Sequence, residues 1–235
     1  MALNMKDQLG KEIGRGGYGI VYEHKNNPEL CIKKSMKKSN CRMWSNEYAK
    51  IKNINNNVKY LKHVRMIVPS EFYESENECY MVMPRIRNPL NIDKTLHPLL
   101  GEEDFKHVDK KRGIFMGIKQ LVENFNFDQE YLTQIAYELG MMMSNIHFRA
   151  KNDAYDVEIY LDSDYTLYLA DFDLSEDILT YDPETIKRMV WSLDAVPYFP
   201  TTDCCKDLYE IFKDGYIKNL TSEEKIIAKL IFDLY

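Results

Sequence analysis

The chain has 235 residues, 45% of them hydrophobic, with 31 basic against 37 acidic side chains and a formal net charge of -6. That is enough apolar chain for one large domain or two lobes around a cleft, and the acidic balance gives no global positive field to draw nucleic acid or an anionic membrane. No window resembles a signal peptide or a membrane span. The five cysteines (Cys31, Cys41, Cys79, Cys204, Cys205) are odd in number and lack zinc-site or redox spacing, so an intracellular, cytoplasmic protein in a reducing compartment is expected.

From Lys11 to Glu23, KEIGRGGYGIVYE alternates apolar and polar residues around a glycine cluster, as two short strands joined by a tight turn require. ELCIKKS (29–35) predicts a third strand, with Lys33, Lys34, Lys37 and Lys38 forming a mostly solvated strand end. MWSNEYAKIKNI (43–54) sets Trp44, Tyr48, Ile51 and Ile54 at helical spacing, whereas the run NINNN (53–57) suggests a polar loop or a coding bias. VRMIVPSEFY and CYMVMPRI predict two more strands, the second nearly all apolar and therefore buried. The middle, Arg87 to Phe125, is broken by Pro89 and Pro98 and densely charged, yet too rich in Leu, Phe and Ile for a disordered linker. Asp128 is the expected N-cap of a helix of about five turns, with Glu130 in the first turn and Leu132, Ile135, Leu139 and Ile146 on one face. VEIYL (157–161) and TLYLADF (166–172) predict a hairpin through DSDY. After Asp177 the pattern is helical in TIKRMVWSL, DLYEIF and SEEKIIAKLIFDLY.

Gly14, Gly16 and Gly19 followed by Val21 fit a loop folded over nucleotide phosphates, because glycine lets backbone N–H groups approach anionic oxygens. By themselves they fit a glycine-rich hairpin turn equally well. Lys33 follows Val21 by twelve residues at the end of a strand, and Glu47 lies on the next helix, able to pair with it. In the second half Asp153 precedes Glu158 by five residues and Asp171 follows Glu158 by thirteen, across a hairpin expected to fold the three carboxylates toward one point. On these residues the chain resembles the protein-kinase-like superfamily over nearly all its length. NDAYDVEIYL, LADFD, RGIFMGI, DAVPYFP and DLYEIFKDGY are further similar to a family of uncharacterised fungal kinase-like proteins.

The resemblance implies an α+β, bilobal fold. Its N-terminal lobe, residues 1–86, is an antiparallel sheet with one helix that binds nucleotide; residues 87–235 form a reduced, mainly helical C-terminal lobe carrying the catalytic and metal-binding hairpin. It implies ATP and Mg2+ as cofactors, with Lys33 on the phosphates, Glu47 paired to Lys33, and Asp153 accepting the proton of a hydroxyl acceptor. Asp171 and Glu158 would hold magnesium, Glu158 keeping an oxygen donor where the superfamily has asparagine. Val21 and Cys31 would cover the adenine, Met83 would guard the back of the pocket, and the Pro84 carbonyl and Ile86 N–H would face the ring.

The departures matter as much. Asn152 replaces an arginine that pairs with a phosphorylated loop, so switching by loop phosphorylation is not expected. Tyr155 replaces a lysine that steadies the transferred phosphate. Only about sixty residues follow Asp171, with no APE, which disfavours a peptide-docking lobe. Asp173 stands where a protein kinase has glycine, as in small-molecule kinases of the choline and aminoglycoside type, and removes backbone freedom; its bland alternative is a cap on the LSED turn. Leu167 sits where a calcium loop through Asp162, Asp164 and Asp173 needs glycine, so that site is rejected. His147 reads as a packed core histidine. Two function classes fit: an ATP- and Mg2+-dependent phosphotransferase of minimal kinase-like type transferring the gamma-phosphate to a hydroxyl acceptor, and a pseudokinase that serves a protein partner with or without nucleotide. Neither nucleic acid nor membrane is expected as a partner.

Overall fold

The computed structural model describes residues 5–92, 94–109 and 113–235. The N-terminal alternation builds β1 (Leu9–Arg15), β2 (Gly19–His24) and β3 (Leu30–Ser35), followed by helix α1 (Cys41–Asn57), β4 (Val64–Met66), β5 (Glu71–Glu74) and β6 (Cys79–Pro84). Five of these strands form an antiparallel sheet in the order β1-β2-β3-β6-β5. Because side chains alternate across a sheet, Ile32, Tyr80 and Val82 pack on one face with Met5, and Cys79 and Met81 meet Trp44 of α1 on the other.

Several expectations need correction here. The run NINNN is helical rather than a loop: Ile54, three residues after the buried Ile51, is fully buried and carries α1 on to Asn57, whose amide donates to the Asn53 carbonyl at 2.8 Å. VRMIVPSEFY is two strands, not one. Pro69, which lacks an N–H, lies in the break, and β4 pairs in parallel with a strand from the second half of the chain while β5 joins the N-terminal sheet. Cys41 and Cys79 form a disulfide tying the first residue of α1 to β6, which removes the argument from unpaired cysteines for a reducing compartment. Lys34 and Lys38 are not simply solvated, since Glu78 and Glu74 pair with them at 2.8 and 2.6 Å.

The middle segment folds as β7 (Leu96–Leu99), β8 (Lys106–Asp109) and β9 (Gly113–Gly117), ordered β7-β9-β8, followed by α2 (Ile118–Phe125). Pro98 sits inside β7 rather than breaking it, because an edge strand tolerates the missing donor. Arg112, which opens RGIFMGI, lies outside the described residues. Helix α3 (Gln129–Ser144) starts as expected at Asp128, whose carboxylate accepts the Tyr131 N–H at 2.7 Å, and it buries Leu132, Ile135 and Leu139. It then widens into a π turn, Asn145–Arg149, that buries Ile146 and His147. His147 hydrogen-bonds the Tyr216 hydroxyl at 2.5 Å and lies 3.4 Å from Ser192 Oγ, and burial lowers its pKa to about 4, so it packs as a neutral core residue.

The expected hairpin is β10 (Glu158–Leu161) and β11 (Leu167–Ala170), with β4 on its outer edge. Three helices close the chain: α4 (Pro183–Asp194), capped by Asp182, α5 (Lys206–Ile217), and α6 (Ser222–Leu234), which opens with a capping box between Thr221 and Glu224. Residues 171–182 form no helix, so the alternative reading of Asp173 as a cap on a helical turn at LSED does not hold. The described residues thus make an α+β architecture with six α-helices, and none of those helices is long and apolar enough to cross a membrane.

Helices α3 and α5 approach closely because Gly140 and Gly215 face each other's backbone: a methyl at Gly140 would overlap the Phe212 carbonyl, and one at Gly215 the Tyr137 carbonyl. Gly140→Ala should therefore destabilise the fold by about 1–3 kcal/mol, as overpacking does. Gly17→Ala, with nothing within 4 Å of the added carbon, should change stability by less than about 1 kcal/mol. Urea unfolding of both variants checks this, and equal losses would contradict the packing.

Candidate active site

Alternation along β3 turns Cys31 and Lys33 away from Ile32 and toward α1. The Lys33 ammonium lies 3.3 Å from Asp171 Oδ1 and 3.6 Å from Glu47 Oε1, and 5.1 Å from the centre of the Trp44 ring. Glu47 follows Trp44 by three residues and so shares its inward face. It is 3% exposed, and its Oε2 has no hydrogen-bond partner. Burial pushes the Glu47 carboxyl up to about 7, with Lys33 opposing that shift only in part. Burial alone would lower Lys33, yet Asp171 and Glu47 override it and hold the ammonium charged above the ordinary lysine range. Asp171 follows β11 directly with φ 63°, a left-handed conformation that aspartate tolerates better than most residues. Burial and the neighbouring Asp171 together raise the pKa of Asp173.

Helix α1 is pinned in this orientation from three sides. Gly19 lacks a side chain where any Cβ would collide with the Trp44 ring. The Cys41–Cys79 bond holds the start of the helix, and Lys50 donates to the Phe172 carbonyl at 3.1 Å and to the Ser175 carbonyl.

The glycine loop closes between β1 and β2 through the Gly16 N–H to Gly19 carbonyl bond at 2.9 Å. Gly14 pairs with Val21 and Val21 with Lys33, so the loop lies in register beside the lysine. Gly17 has open space around it and Gly16 only the Gly19 carbonyl at 4.0 Å, whereas Gly19 is explained by packing on Trp44. Cys31 pairs in register with Met83 and directs its thiol to the Pro84 carbonyl at 3.6 Å, and burial pushes that thiol up to about 12. Ile86 lies just beyond β6, between Arg85, whose N–H donates to the Glu29 carbonyl at 2.9 Å, and Arg87, whose guanidinium pairs with the Glu29 carboxylate at 2.9 Å.

Asp153 is 3% exposed and fully engaged. Its Oδ1 accepts the N–H groups of Tyr155 at 3.1 Å and Glu176 at 2.8 Å, and its Oδ2 accepts Nε of Arg188 at 2.5 Å. The Arg188 guanidinium also covers the Tyr155 ring at 4.5 Å, and Tyr155 stacks on Trp191 at 4.9 Å and 11°. A cation from α4 thus occupies the neighbourhood of Tyr155, where the sequence lacks the lysine. In the sequence the signal for Arg188 is weak, an i, i+3 spacing with Trp191 on a predicted helix. Asn152, fully buried, accepts the Ala154 N–H at 3.0 Å and bridges to Asp177, holding this loop against the segment after β11.

Asp153, Glu158 and Asp171 do not form one tight cluster of ligand atoms. Glu158 opens β10 opposite Ala170, one residue before Asp171, but Asp153, Glu158 and Asp171 do not gather their oxygens within 4.8 Å of one another. Each has its own partner: Arg188 and two amides for Asp153, the Tyr160 hydroxyl for Glu158, and Lys33 for Asp171. Lys33, Glu47 and Asp171 do meet. Comparison with known proteins finds no family model that matches the chain and no curated protein similar to it.

Because the folded pKa of Glu47 lies above its ordinary value of 4.5, its contribution to stability is full below pH 4.5 and is lost as pH rises through about 7. Glu47→Gln removes that loss, so the variant should gain on wild type between pH 5 and pH 8 by on the order of 3 kcal/mol. Urea unfolding at the two pH values measures the difference; a pH-independent difference would contradict the burial of this carboxyl.

Proposed function

We propose that the chain is an ATP- and Mg2+-dependent phosphotransferase of minimal kinase-like type, transferring a phosphoryl group to a hydroxyl acceptor. The observation that carries this reading is the Lys33 ammonium held between Glu47 and Asp171 beside the glycine loop. In this reading the N-terminal sheet with α1 is the nucleotide-binding lobe, and the remainder, built on α3 and the β10–β11 hairpin, is the catalytic lobe. Asp171 and Glu158 offer hard carboxylate oxygens, the donors magnesium takes from proteins in small number beside phosphates. Bound there, magnesium would neutralise phosphate charge.

The chain's own groups do the rest. Lys33 steadies the phosphates, and the open backbone at Gly16 and Gly17 lets them approach. Arg188 supplies positive charge beside Asp153, offsetting the loss of a lysine at Tyr155. Asp153 orients the acceptor hydroxyl and takes its proton at a carboxylate oxygen.

One observation favours the second reading, a pseudokinase serving a protein partner: both oxygens of Asp153 are already engaged, by two amides and a guanidinium. The two readings share nucleotide binding and differ in transfer. ATP at a hundred times its dissociation constant should stabilise the fold by about 2.7 kcal/mol, with the gain dependent on magnesium, reduced in Lys33→Ala and lost in Asp171→Ala. Transfer of labelled gamma-phosphate to hydroxyl acceptors, abolished by Asp153→Asn, identifies the enzyme. Nucleotide binding without transfer identifies the pseudokinase, and no stabilisation by ATP at any magnesium concentration contradicts the proposal.

A further inference from the structure

A second group of chemistry-bearing side chains lies apart from Lys33 and its partners. The turn that leads into α5 carries two adjacent cysteines, both partly exposed, with Sγ atoms 2.7 Å apart. Thr201 fixes that turn: its hydroxyl accepts the Cys204 N–H at 3.3 Å and its carbonyl the Cys205 N–H at 3.1 Å. Glu103, about a hundred residues earlier, reaches the same place, with Oε2 3.5 Å from Cys205 Sγ. Its own backbone is anchored, since the Glu103 carbonyl accepts the Lys119 N–H at 2.9 Å at the start of α2. The ligand atoms of Glu103, Cys204 and Cys205 all lie within 4.8 Å of one another, and they form the one such group among the described residues.

The surroundings favour a cation. Glu103 and Cys204 line a surface hollow of about 460 Å³ together with Glu102, Asp194 and Asp203. Asp104, on the same rim, is already paired with Lys119 at 2.7 Å. Two sulfurs and one carboxylate are the wrong donors for magnesium or calcium, which take oxygen, and the right ones for a borderline-soft divalent ion. Three protein ligands also leave one position of a tetrahedron open to water.

We propose that Cys204, Cys205 and Glu103 form a binding site for a thiophilic divalent cation of the zinc class. Two metal–sulfur bonds of about 2.3 Å in a tetrahedron set the sulfurs about 3.7 Å apart, so loading turns the two thiolates away from each other by about 1 Å. Binding releases the two thiol protons to solvent, and the ion itself is neither oxidised nor reduced. The site joins the turn after β7 to the entry of α5, two segments that chain order leaves far apart.

Cadmium titration of the full chain, treated with a phosphine under native conditions that leave the buried Cys41–Cys79 disulfide closed, as a count of three free thiols verifies, and kept free of air, tests this through the ultraviolet band of cadmium–thiolate bonds. The band should saturate at one ion per chain and vanish in Cys204→Ser/Cys205→Ser. Glu103→Gln should weaken binding at least about tenfold, and because Glu103 is exposed that variant tests the site without threatening the fold. Cys31→Ser should leave the band unchanged, zinc should displace cadmium, and magnesium should not. No band in the wild type, a band that survives in the double variant, or a Cys204–Cys205 disulfide that persists in the reductant on peptide mapping would each overturn the proposal.

Discussion

The structure around the candidate active site depends on one ammonium group. Lys33 reaches from β3 to a carboxylate on α1 and to another at the end of β11, 138 residues away in sequence. With its side chain only 20% exposed, it sits where an unpaired charge is costly. A single cation does not neutralise two carboxylates and the nearby Asp173, so the cluster carries excess negative charge. Glu47, the most deeply buried of them, relieves it by taking up a proton more readily than an ordinary glutamate. Lys33 and its partners hold this imbalance between the sheet and the hairpin, with the ammonium at 3.3 Å and 3.6 Å from the two carboxylates.

The orientation of α1 follows from the same requirement. Glu47 points inward because Trp44, one turn earlier, is clamped under Gly19, and because the disulfide holds the start of the helix to β6 while Lys50, at its middle, ties it to the segment after β11. That segment in turn carries the Glu176 amide that binds Asp153. Lys33, α1 and Asp153 are therefore linked through short, buried polar contacts, and a shift of α1 would be felt at both acidic groups.

Much of this was legible in the sequence where one local signal sufficed. The N-cap at Asp128 and the apolar stripe of α3, the hairpin around DSDY, and the three closing helices all follow from periodicity and capping. Lys33, Glu47 and Asp171 could be named because their order along the chain carried a chemical logic. What escaped depended on contacts between distant segments. Nothing local marks β4 as the partner of β11, and a separation of 38 residues gives no sign that Cys41 and Cys79 meet. Pro98 reads as a breaker until β7 is known to be an edge strand. Arg188 matters only once α4 is laid across Tyr155, and its ion pair with Asp153 joins residues 35 apart that no local pattern relates.

The most direct measurement of the central contact is a double-mutant cycle on urea stability with Lys33→Met, Asp171→Asn and the pair together. If the ammonium joins β3 to the end of β11 as described, the two substitutions should couple by about 1 kcal/mol or more. Losses that add to within about 0.3 kcal/mol would mean that these groups do not meet, and the site built on them would fall.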